Sequence, residues 1–216
     1  MRDELIERVR RQDWVDDPIV GFTTPAGFED SPIWPGARWS VIDEIASMSA
    51  GTRDVHEYLF TRAADGQHIP VAFLSDRSGD DTRMRVYVDK AALGYDEPRR
   101  PLVAPEDTEL PPDLARFLAA SRSGDRPSLE GAIRADAVIV TAHGEVSGAQ
   151  LIEAYSAQRV GGPGVPFQFC TVTSRGDRHA VEFISWRRPP HAGLAVIDFS
   201  AGMVERARLY EGPVRR

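Results

Sequence analysis

Of 216 residues, one is cysteine (Cys170), one is lysine (Lys90) and none is asparagine. A lone thiol excludes an internal disulfide and is the usage expected of a reducing cytoplasm. Lysine and asparagine codons are A/T-rich, so the many arginines need no functional explanation. No run of twelve apolar residues occurs, which excludes a transmembrane helix of ordinary length. The charged start Met1-Arg2-Asp3-Glu4 has no apolar segment behind it, so no secretory leader is expected. With 26 basic against 33 acidic residues the formal charge is −7, which argues against a general binder of nucleic acid or anionic membrane.

The familiar catalytic signatures are missing as well. No G-x-S-x-G elbow, Walker loop, G-x-G-x-x-G or C-x-x-C is present, which removes the motif-borne hydrolase, nucleotide and redox classes. His56-Glu57 opens a zinc-protease-like H-E-x-x-H, but its fifth residue is Phe60. Period-two patterning makes that segment a strand, where the i, i+4 ligand geometry does not exist. No metal and no organic cofactor is expected.

What is present is a globular composition, 42% hydrophobic and 27% charged, with one clear break. Residues 94–111 are rich in proline and charge and lack any periodicity, which predicts an extended linker between domains 1–93 and 112–216. The flanks differ in charge, with 11 basic and 17 acidic residues in 1–93 against 13 and 11 in 113–216. That difference favours contact between the halves.

The second half reads clearly. Leu114, Phe117 and Leu118 share a helical face behind Pro111-Pro112-Asp113, and a second short helix is expected near 128–134. Ala137–Thr141 reads as a strand, and Ser147 with Gln150 forms a capping box that opens a helix burying Leu151, Ile152 and Tyr155. Strands follow at Val165–Thr173, His179–Arg187, Leu194–Phe199 and Val204–Tyr210. The predicted order is α-α-β-α-β-β-β-β.

This order, with the phrases RFLAASRSGD, IRADAVIVTAHG and FSAGMVERARLYEG, resembles the nuclear transport factor 2-like superfamily, which includes SnoaL-like polyketide cyclases and ketosteroid isomerase. The resemblance implies an α+β fold in which a curved antiparallel sheet wraps helices into a cone-shaped cavity. It implies further a cofactor-independent cyclase, dehydratase or isomerase acting on an apolar, polyketide-like molecule. Ketosteroid isomerase uses a tyrosine and two aspartates. Those positions fall here on Phe117, Thr141 and about Ala195, so the second half lacks that set and its wall (Phe117, Val181, Phe183, Leu209) is apolar. A non-catalytic ligand-binding or scaffolding module of the same fold is the alternative.

The first half repeats the pattern in degraded form. VHEYLFTR at Val55–Arg62 aligns with AVEFISWR at Ala180–Arg187, and Ile69–Leu74 aligns with Leu194–Phe199. Upstream, Trp39–Met48 and Glu4–Arg11 are the expected helices. A tandem chain of this kind would be an internal pseudo-dimer and a monomer. Carried across the repeat, the inward frame places Tyr58 at the position of Phe183, His56 at Val181 and His68 at Gly193. These three are the expected catalytic residues, with a histidine as acid or base and Tyr58 stabilising an oxyanion. Trp34, Trp39, Phe60, Phe117, Thr141 and Phe183 are the expected substrate-binding residues. The predicted partner is a small hydrophobic molecule.

Overall fold

A computed structural model of the chain describes residues 39–78, 81–88, 103–105, 109–141, 144–157, 167–185 and 191–210, with the side chains of 78, 81–84 and 191 outside that set. The chain divides into two compact units, Met1–Glu97 and Pro98–Arg216. No helix among the described residues is long and apolar enough to cross a membrane.

In the first unit the described residues form a four-stranded antiparallel meander of β1 (Trp39–Ala50), β2 (Arg53–Arg62), β3 (His68–Ser78) and β4 (Asp81–Val88), in that spatial order. The expected helix over Trp39–Met48 is therefore strand β1. Its ladder with β2 breaks register between Trp39 and Val41 and again between Glu44 and Ala46. An extra residue at each bulge moves the buried side chains to Trp39, Ile42 and Met48, a spacing in threes that imitates a helix. The Glu4–Arg11 helix and Trp34 lie outside the described residues. With no helix among those described, the unit's likeness to the second one is confined to a meander.

The second unit begins with helix α1 (Pro112–Ser123) and helix α2 (Arg126–Ala132). Proline in the first turn of α1 has its φ preset, and Gly124 ends the helix in the left-handed region at φ 62°. Asp125 caps α2 by accepting from the Ser128 amide at 3.0 Å. Strands β5 (Ile133–Thr141) and β6 (Gly144–Ser147) lead into helix α3 (Gly148–Ala157). The capping box forms in both directions: the Gln150 amide donates to Ser147 Oγ at 3.2 Å, and the Ser147 amide donates to Gln150 Oε1 at 2.8 Å. Then follow β7 (Phe167–Arg175), β8 (Arg178–Ser185), β9 (His191–Ser200) and β10 (Met203–Tyr210).

The six strands are ordered β6-β5-β10-β9-β8-β7. The sheet is mixed rather than wholly antiparallel, because β10 inserts between β5 and β9 and runs parallel to β5. Strand β6 was not expected; four residues are too few to show a period. The β9–β10 hairpin turns through Ala201 and Gly202 at φ 50° and 74°, the paired left-handed geometry that matches strand twist. All three helices pack on one face of the sheet. Leu114, Phe117, Leu129 and Ile152 meet Ile139, Val181, Phe183, Ile197 and Ala207 in a single apolar cluster. The opposite face is also buried, with Ala180, Ile184, Leu194, Val196 and Tyr210 each at most 3% exposed.

Candidate ligand-binding site

Period-two alternation and the register of the second sheet arrange its helix-facing side chains in transverse rows. The deepest row used here is Ala207, Ile197, His179 and Ser174. Above it run Leu209, Ala195, Val181 and Val172, then Gly193, Phe183 and Phe169, and last His191, Ser185 and Phe167, with the His191 side chain outside the described set. Thr141, at the end of β5, stands beside Leu209 because β5 and β10 pair in parallel. Deep residues are sealed, with Ile139 at 2% and Val181 at 0% exposure. Toward the last rows Phe167, Phe169, Leu209 and Thr141 are only partly buried.

Helix α1 packs against β7 and β10 and is pinned at both ends. At its start, Asp113 Oδ2 lies 3.2 Å from His179 Nε2, and His179 Nδ1 lies 2.9 Å from Ser174 Oγ. With Nε2 donating to the carboxylate, Nδ1 is left to accept from the serine hydroxyl. Burial would raise the Asp113 carboxyl, but the Leu114 amide and His179 outweigh it and hold the group below the usual carboxylate range. At the other end Arg122 Nε donates to the Phe167 carbonyl at 2.9 Å. Between the pins, Leu114, Phe117, Leu118 and Ser121 form one buried stripe on α1.

At the Phe167 end an aromatic series crosses from α3 to the sheet. The Tyr155 and Phe167 rings are 6.2 Å apart at 62°, and the Phe167 and Phe183 rings 5.2 Å apart at 71°. Edge-to-face contacts of this kind suit the ring quadrupoles. Among the described side chains, these upper rows hold no carboxylate, imidazole or cation. They do hold two hydroxyls, Ser121 Oγ on α1 and Ser185 Oγ on β8, both buried and both without a hydrogen-bond partner among the described residues. Each such orphan costs about 1–3 kcal/mol.

The sequence-predicted residues fall in three groups. Phe117 and Phe183 sit in the second unit's apolar cluster, and Thr141 lies at its edge with its hydroxyl donating to the Gly144 carbonyl at 3.0 Å. In the first unit Trp39, Tyr58, Phe60 and Phe73 stack edge to face, Trp39–Phe60 at 5.2 Å and Tyr58–Phe73 at 5.5 Å. His56 shares the Tyr58 face and pairs through Nδ1 with Glu44 Oε1 at 3.1 Å. His68 does not join them. Register pairs Tyr58 with Val71 and His68 with Thr61, whereas the repeat would pair Tyr58 with His68. That offset of three residues is odd, so it sends His68 to the opposite face, where it is exposed and meets Thr61 Oγ1 at 3.0 Å. The three-residue constellation is not assembled on one face.

Sequence reasoning missed Glu44, the Asp113–His179–Ser174 set and the two orphan hydroxyls. The last had a signal: Ser121 and Ser185 occupy positions where an apolar period calls for an apolar residue. Among the described residues no three His, Cys, Asp or Glu side chains gather as a metal site would need.

No family model matches the chain, and no curated protein matches it. Solved structures do, over about half its length. One is a nuclear transport factor 2-like protein of unknown function from Burkholderia xenovorans, 16% identical with a TM-score of 0.39, spanning 48% of this chain and 84% of its own. A putative polyketide cyclase from Sinorhizobium meliloti is 15% identical with a TM-score of 0.39, over 46% of this chain and 94% of its own. An LEH-like epoxide hydrolase from M. tuberculosis is 17% identical with a TM-score of 0.39, over 45% and 78%. Over that half the chain is similar in fold to nuclear transport factor 2-like and polyketide cyclase structures.

Proposed function

We propose that the second unit binds a small, flat, apolar molecule at the Phe167 end of its helix-facing surface. One observation carries this reading. The upper rows combine partly open aromatic and aliphatic side chains with no carboxylate, imidazole or cation among the side chains described. The buried His179, bonded to Asp113 and Ser174, sits six residues along β8 from Ser185, roughly 20 Å away, packed under Phe199 at a ring separation of 5.4 Å. A bound ring would gain by leaving water and by meeting the Tyr155 and Phe167 faces. Among the described side chains of these rows no carboxylate, imidazole or cation stands ready for proton transfer, so binding is the role placed first.

The test is calorimetric titration with 2-ethylnaphthalene. Phe167→Ala removes one stacking face at a partly exposed position and should weaken binding roughly tenfold. Unchanged affinity in that variant would sink the reading.

Cofactor-free cyclase, dehydratase or isomerase chemistry is the second reading, and a different observation favours it. Glu44 on Nδ1 of His56 orients the imidazole, a group able to take up or give a proton near neutral pH, and Tyr58 shares its face of the sheet. On this reading His56→Ala abolishes turnover of a polyketide-like substrate and His68→Ala leaves it intact.

A further inference from the structure

Resting on the binding role proposed above, we infer that Ser121 and Ser185 form the polar end of the site and select an uncharged aromatic ligand carrying a ketone or hydroxyl oxygen. The two residues end matching stripes. On α1 the buried series Leu114, Phe117, Leu118 closes with Ser121; on β8 the inward series Val181, Phe183 closes with Ser185. Both stripes finish at the same end of the sheet, because Arg122, the neighbour of Ser121, reaches the Phe167 carbonyl and Phe167 pairs with Ser185. Their exposures are 0% and 1%, and neither hydroxyl has a partner among the described residues. Alanine would fill both positions without an orphaned dipole, so the hydroxyls are accounted for by a guest that pairs with them.

The guest's chemistry follows from theirs. A serine hydroxyl both donates and accepts, so it serves a carbonyl or a hydroxyl oxygen. Beside Ser121 and Ser185 no described side chain carries a charge that would compensate a buried carboxylate. The nearest cation on α1, Arg122, is exposed on the outer side of the helix and already gives Nε to a backbone carbonyl. The adjoining rings of Phe167 and Phe183 place the ligand's own ring next to this polar end.

Three probes of one shape separate the possibilities by calorimetry: 2-acetylnaphthalene, 2-ethylnaphthalene and 2-naphthoate. The ketone should bind roughly tenfold tighter than the hydrocarbon, the yield of one neutral hydrogen bond, and the carboxylate most weakly. In the double variant Ser121→Ala with Ser185→Ala, ketone and hydrocarbon should bind equally. The melting temperature should not fall. Equal binding of ketone and hydrocarbon by the wild-type chain, a ketone preference that survives in the double variant, or tightest binding of the naphthoate overturns the assignment to the serines while leaving the pocket. If neither neutral probe binds, the pocket itself is refuted.

Discussion

Replacing Gly148 with alanine sets two physical effects against each other. Gly148 opens α3 with an ordinary backbone conformation, so helix propensity alone would favour alanine, by up to about 1 kcal/mol. Geometry opposes it. A Cβ built on Gly148 would lie 1.8 Å from the Arg134 backbone oxygen and 3.0 Å from the Ala137 Cβ. Ordinary carbon–oxygen contact needs about 3.5 Å, so the start of α3 would have to lift from β5 by well over an ångström. That movement drags Ile152, 3% exposed, out of the apolar cluster. A forced repacking of this size costs about 3 kcal/mol or more. Urea unfolding is the assay. With a slope of about 2–3 kcal/mol per molar, the midpoint should fall by about 1 M. Gly131→Ala is the control: it lies in α2 and nothing comes within 4 Å of its built Cβ. It should be neutral or slightly stabilising. If Gly148→Ala behaves like Gly131→Ala, the close approach of α3 to β5 is wrong.

Two further outcomes follow from the ionic contacts. Asp113 has a depressed folded-state pKa, so its contribution is present above the unfolded carboxylate range and is lost as pH falls through the folded value. Asp113→Asn should lower the melting temperature most near pH 6, and the gap to wild type should close on acidification; a gap independent of pH refutes the linkage. In the β2–β3 turn, the hydrogen bond from Arg62 and then the Gln67 amide hold Asp65 at about 2. An NMR titration should place its carboxyl there, and Arg62→Ala should return it toward ordinary values.

Legibility followed the range of the interaction. The Ser147–Gln150 capping box is chemistry within four residues, and its motif was sufficient. The inward stripe of Val181 and Phe183 is a period, and periods survive in sequence. Strand β1 failed because two bulges broke its period. His68 failed because facing is fixed by pairing with a neighbouring strand, and the Ala63–Gln67 turn sets that pairing three residues away from the one the repeat implied. The His179–Asp113 contact spans 66 positions, which no local pattern reports. Ser121 and Ser185 were visible as interruptions of two apolar series, and their common place at the Phe167 end came only from the docking of α1.

The place of β10 bears on how the second unit is made. This strand follows the other five in the chain but stands third in the sheet, between β5 and β9. Until residues 203–210 have emerged from the ribosome, the β5–β6 hairpin and the β7–β8–β9 meander have no strand in common. The nascent unit would therefore hold two half-sheets with open edges, the condition that invites pairing with foreign chains. Closure through a distant parallel pair is intrinsically slow, so the edges stay exposed until the last strand has been made and has paired with both halves.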